Sequence, residues 1–258
     1  MKFISGTILS LTVLAGLLTA TAARAEENTP ATCEVSDYFV SSDNALPKVA
    51  EAIKAGGPLN ILLIGSRSST INLSAANASE DAAYPGQMQA TLKEKLSPVP
   101  VNLSVEIQAK KTAEDVAAGL AKLLEGKKPT LVIWQTGTVD AMRSVDPDDF
   151  RTGVSEGVAA LQEAGTDVIL INPQYSPRTE SMISVPPYLD NMRVVAQERD
   201  VPLFDRFAIM RSWSESGEFD LFSAVHGVEL AKRVHNCLGR ALSQFIVAAA
   251  HPKPVQEN

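Results

Sequence analysis

The chain has little cysteine, little histidine and a deficit of positive charge. Only two cysteines and three histidines occur in 258 residues. That excludes a scaffold stapled by many disulfides, and the spacing offers no Cys/His pattern of the kind that holds zinc. No metal or cofactor is indicated. Acidic residues outnumber basic ones 30 to 23, for a net charge of −7. A balance of that sign argues against nucleic acid or an anionic membrane surface as partner, since both are bound by cationic patches. No internal repeat and no Pro/Gly/Ser-rich linker divides the chain, so length argues for one large domain. The longest apolar stretch lies at the N-terminus, from Ile8 to Leu18, and falls short of the ~20 residues that a spanning helix needs.

That N-terminal segment has Lys2 ahead of the apolar stretch and Ala23-Arg24-Ala25 after it. This is the layout of a secretory signal peptide with a small-x-small cleavage site. Residues 1–25 are therefore expected to be removed, leaving 26–258 as a single exported domain, periplasmic or secreted, with no membrane span. Removal takes two positive charges and no negative one, so the balance becomes more acidic. In an oxidising compartment Cys33 and Cys237, near opposite ends of the mature chain, are expected to pair. Closing so long a loop contributes on the order of 4 kcal/mol by restricting the unfolded chain.

Short aliphatic runs alternate with amphipathic stretches. The runs 59–65 (LNILLIG), 101–107 (VNLSVEI), 130–137 (TLVIWQTG), 167–174 (DVILINPQ) and 201–206 (VPLFDR) read as buried strands. Helical periodicity falls at 85–96, 113–124, 148–164, 187–199 and 228–249. The alternation predicts an α/β fold, a five-stranded parallel sheet with helices on both faces. Ligands in such sheets bind beyond the carboxyl ends of the strands. Chemistry is therefore to be sought at Gly65 to Thr70, Thr136 to Asp140, and near Gln174 and His226. Asp146 before Pro147 reads as an N-cap followed by proline at the first helical position. Tyr84 reads as a packing residue, and His235 and His251 as surface residues.

The stretch LVIWQTGTVDAMRSVDPDDFRTGVSEGVAALQEAGTDVILINPQYSP, with VPLFDRFAIMRSWSESGEF and CLGRAL later, resembles the exported bacterial branch of the SGNH/GDSL hydrolases. The resemblance spans nearly the whole mature chain. It implies a three-layer α/β/α sandwich of SGNH-hydrolase, flavodoxin-like type, and ester hydrolysis by a serine activated by a histidine. An aspartate orients that histidine, and backbone N–H groups with an asparagine form the oxyanion hole.

Carried over position by position, these roles fall on altered residues. The family's nucleophile stands two residues after the glycine of the first turn, and here that place holds Arg67. A guanidinium has no nucleophilic oxygen and stays protonated. Ser66 and Ser68 flank it and are the remaining nucleophile candidates. Ala113 falls where the family has a glycine whose N–H helps the oxyanion. Gly137-Thr138-Val139-Asp140 replaces Gly-Thr-Asn-Asp, so Val139 lacks the amide donor. Without gaps, the final Asp-x-x-His block aligns with His226 and Glu229. With a three-residue insertion, His226 takes the histidine place and Ser223 the aspartate place.

Beside a structural or assembly role with no small ligand, two function classes follow. In one, Arg67 and Glu229 pair across a vestigial pocket. The protein then binds without cutting, taking an anionic or acylated glycan or small molecule of the cell envelope beside Arg67, Ser66, Ser68 and Asp140. In the other, Ser68 or Ser66 works with His226 as an ester hydrolase.

Overall fold

A computed structural model describes residues 32–71, 80–222 and 227–251, all within one compact unit. Five parallel strands form its sheet: β1 (Leu59–Gly65), β2 (Val101–Ile107), β3 (Leu131–Gln135), β4 (Asp167–Ile171) and β5 (Leu203–Phe204). Their order is β2-β1-β3-β4-β5, so the chain reverses its direction of winding between β1 and β3. The helices are α1 (Asp37–Val40), α2 (Pro47–Ala55), α3 (Tyr84–Lys95), α4 (Ala113–Leu124), α5 (Thr138–Arg143), α6 (Pro147–Glu163), α7 (Pro177–Glu180), α8 (Pro186–Glu198), α9 (Arg206–Ser216) and α10 (Gly227–Ala250).

The layers follow from the two-residue period of the strands. Leu59, Ile61 and Leu63 of β1, with Leu131 and Ile133 of β3 and Ile169 and Ile171 of β4, face a core shared with α2, α3, α9 and α10. Leu62 and Ile64, with Val132, Trp134, Val168 and Leu170, face the other core, shared with α4, α6 and α8. Strands buried on both faces carry no polar alternation, which is why these runs are aliphatic throughout. The three-layer sandwich expected from the sequence is the observed fold.

Local signals act as read. Asp146 accepts from Asp148 N–H and Pro147 opens α6. Cys33 and Cys237 form a disulfide that ties the segment before α1 to α10, with Cα atoms 5.0 Å apart.

Three readings are corrected. The fifth strand is only two residues long, because Asp205 caps α9 directly after it by accepting from Ala208 N–H. Thr138 to Asp140, where no helix was read, is the first turn of α5. Helices α2 and α9 stand where no helix was read. The proposed signal peptide and the 26–31 segment lie outside the described residues. No helix among the described residues is long and apolar enough to cross a membrane.

Candidate functional site

The carboxyl ends of β1, β2, β3 and β4 open into a cleft of about 980 Å³ bounded on the far side by the start of α10. This is the reversal point of the sheet, where parallel α/β folds place ligands.

Its floor is the turn after β1. Gly65 approaches Ser69 so closely that a Cβ there would stand 2.4 Å from Ser69 Oγ, so only glycine lets the chain fold back into the short 3-10 turn Arg67–Ser69. Three serine hydroxyls then turn inward onto one acceptor. Gln135 Oε1, at the end of β3, receives Ser66 N–H at 2.9 Å, Ser66 Oγ at 2.9 Å, Ser69 Oγ at 3.1 Å and Ser68 Oγ at 3.3 Å. An amide oxygen has two lone pairs, so the hydroxyls share them. Ser66 Oγ and Ser68 Oγ also lie 3.1 Å apart. Tyr84 hydroxyl stands 2.8 Å from Ser69 Oγ; since Ser69 donates to Gln135, the phenol donates to Ser69.

Arg206, the first residue of α9, holds the same turn from beneath. Its Nη1 donates to Ser68 Oγ at 3.2 Å, and its Nη2 to the Ser68 carbonyl and to Gln174 Oε1, each at 3.0 Å. The guanidinium lies over the Tyr84 ring, 5.2 Å from its centroid, and only 1% of the residue is exposed. Burial pushes the Tyr84 phenol above its ordinary range, against a smaller opposing pull from Arg206. Behind Tyr84, His235 Nδ1 accepts the Tyr84 N–H at 3.0 Å, which leaves the imidazole proton on Nε2. Burial, assisted by the Arg206 charge, pulls its pKa down to about 3. A neutral imidazole this reluctant to take a proton is a poor general base.

The expected site residues fall as follows. Arg67 is exposed in the cleft. It does not pair with Glu229: that carboxylate bonds Lys232 at 2.8 Å on the same helix, one turn away and outside the cleft lining. The expected Arg67–Glu229 bridge is thus overturned by a nearer cation. Ala113 is fully buried and gives its N–H to Asp140 Oδ1 at 2.8 Å. That donor is spent inside the protein and does not face the cleft. Asp140 is itself 1% exposed, and burial pushes its carboxyl up. Gly137 stands at φ +91°, a conformation that glycine tolerates, and starts α5. Thr138 and Val139 line the cleft wall. His226 and Ser223 lie outside the described residues. His235, read as a surface residue, is 7% exposed; His251 is exposed.

The cleft's charge is one-sided. Arg67, Lys110 and Arg143 line it, and among the described residues no carboxylate does. None of the three has a carboxylate within 4.0 Å among the described residues. Apolar Ile71, Met142 and Val228 complete the wall, with Met142 65% and Val228 43% exposed. Gln135 and Arg206 were not singled out from the sequence. Gln135 sits within the WQTG stretch that carried the resemblance, and Arg206 directly follows the last strand.

Two solved structures share this architecture. The psychrotrophic esterase EstA from Pseudoalteromonas sp. is 18% identical, with a TM-score of 0.53 over 73% of this chain and 97% of that one. Axe2, an acetylxylan esterase from Geobacillus stearothermophilus, is 16% identical, with a TM-score of 0.59 over 74% of this chain and 95% of that one. A comparison with curated proteins finds no match. The family model of the non-GDSL lipase-like family matches residues 32–252. A first turn reading Gly-Ser-Arg-Ser in place of Gly-Asp-Ser-Leu fits that description, and the chain belongs to the non-GDSL lipase-like family, within the SGNH/GDSL hydrolase fold.

Proposed function

We propose that this is an exported protein that binds an anionic, glycan-type ligand in the cleft at Arg67 and does not hydrolyse it. One observation carries the reading: in a chain of net charge −7, the cleft lining holds Arg67, Lys110 and Arg143 and, among the described residues, no carboxylate. Unpaired cations around a concavity attract an anion and offer it hydrogen-bond donors, with guanidinium forks suited to carboxylate, sulfate or phosphate. The disulfide is in keeping with an oxidising compartment. The glycan class draws its support from acetylxylan esterase among the structural neighbours.

The absence of cutting is supported by the turn. Ser66 and Ser68 bond Gln135 Oε1, a neutral acceptor that cannot carry a proton away. Among the described residues no histidine or carboxylate contacts either hydroxyl. The place two residues after Gly65 offers a guanidinium, and Val139 supplies no oxyanion amide.

The test is calorimetric titration with a uronate or sulfated oligosaccharide against its neutral counterpart. Binding is expected for the anionic form only, weakened at least tenfold in Arg67→Ala and as salt is raised. Equal binding of the neutral sugar, or release of acid from an acetylated one, contradicts the reading.

A further inference from the structure

Arg206 is a cation without a counter-ion. Its three protein acceptors, Ser68 Oγ, the Ser68 carbonyl and Gln174 Oε1, are all neutral. Its Nε has no protein partner among the described residues, nor does any carboxylate there lie within 4.0 Å of it. Tyr84 does not serve as one, because burial keeps its phenol protonated. A guanidinium cannot escape by losing its proton, and a charge removed from water without a partner is costly. A structural staple between two loops needs only neutral donors, so apart from its contact with the Tyr84 ring face the fold gives the positive charge no partner.

Arg206, though only 1% exposed, lines the edge of a second space. Beside the cleft, a chamber of about 220 Å³, open to solvent, is lined by Arg206 and His235 together with apolar Met210, Leu221, Leu230 and Val234. It shares Gln174, Gly227, Ala231 and His235 with the cleft, so the two adjoin. His235, with Nδ1 occupied by Tyr84 N–H, brings a second donor, Nε2–H, to that shared wall. Among the described residues Arg206 is the one formal charge in the lining.

We infer that the chamber is a subsite for a small organic monoanion, its charged end drawn to Arg206 and Nε2–H of His235 and its apolar body lying against Leu221, Leu230 and Val234. A carboxylate with a short aliphatic chain meets both demands. An inorganic ion would waste the apolar wall, and a neutral molecule of the same shape would leave the guanidinium uncompensated. The subsite goes beyond the anion site at Arg67 and does not require it.

The test is titration of the full, disulfide-closed chain with hexanoate, followed by calorimetry. Saturable one-to-one binding is expected, with hexanamide at least tenfold weaker. Arg206→Gln should weaken hexanoate at least tenfold. Leu230→Trp, which fills the chamber and leaves Arg206 in place, should do the same and decides the matter where Arg206→Gln fails to fold. Arg67→Ala should leave hexanoate affinity within twofold. Absence of saturable binding, equal binding of hexanamide, or indifference to Leu230→Trp overturns the subsite. Hexanoate binding lost in Arg67→Ala but kept in Leu230→Trp also overturns it, while leaving the cleft reading standing; loss of anionic glycan binding alone would sink that reading and spare this one.

Discussion

Two guanidinium groups meet the same turn from opposite sides. The Arg67 guanidinium lies exposed on the cleft side of Gly65–Thr70 with no hydrogen-bond partner among the described residues, whereas Arg206 lies beneath the turn with every described acceptor neutral. Water solvates the first, so its cost is small and its donors are free for a ligand. The second has exchanged water for a serine, a backbone carbonyl, an amide and an aromatic face. Arg67 is available for recognition in the cleft, whereas Arg206 builds the floor beneath it and turns its charge toward the adjoining space.

The largest expected difference is in stability. Arg206→Met removes donors from the Ser68 carbonyl and Gln174 and disturbs a packed wall, and should cost about 2 to 4 kcal/mol in urea unfolding. Arg67→Ala should stay within about 0.5 kcal/mol, as exposed substitutions do. Equal losses in the two would break the contrast.

Per pH unit, a smaller effect comes through His235, which shares the buried side with Arg206. Its folded pKa of about 3 is depressed from 6.5, so the unfolded chain takes up a proton that the folded chain refuses. The stability it contributes is fully present above pH 6.5 and declines as pH falls from 6.5 toward 3, by about 1.4 kcal/mol per pH unit. His235→Gln should flatten that part of the stability profile measured by urea unfolding. An unchanged slope would place the imidazole in water.

The smallest effect concerns Asp140. Burial raises its folded pKa, so the ionised form is penalised in the fold and stability falls as pH rises through that folded value. Asp140→Asn keeps an oxygen for Ala113 N–H and removes the charge. It should raise the melting temperature at neutral pH and lose that advantage below the ordinary carboxylate pKa of 3.8. A lower melting temperature at pH 7 would show that the negative charge is needed where it stands.

The same inside–outside division explains what the sequence made legible. The strands β1, β3 and β4 were visible because both their faces are buried and their runs are largely apolar, and the edge strand β2, mostly exposed or half-buried, alternates apolar with polar residues; β1 and β2 occupy the residues read for them. The cysteine pair was visible because only two cysteines exist. His235 lay open to a closer reading: Val234, Leu238, Ala241, Leu242 and Phe245 mark the buried face of α10 around it, and helical spacing includes it. Arg206 was not legible. A basic residue after a strand gives no hint of burial, since its neighbours Ser68, Gln174 and Tyr84 arrive from distant parts of the chain. The Arg67–Glu229 bridge failed for a related reason. Complementary charges at aligned positions say nothing of a lysine three residues along the helix, and Lys232 claims the carboxylate.

The central claim is that the turn holds hydroxyls and does not activate them. It is tested most directly by exposing the folded, disulfide-closed protein to a fluorophosphonate serine probe and reading its intact mass, with peptide mapping of any adduct. The account predicts no mass increase. An adduct on Ser66 or Ser68 that disappears in His226→Ala would contradict it and make the protein an ester hydrolase.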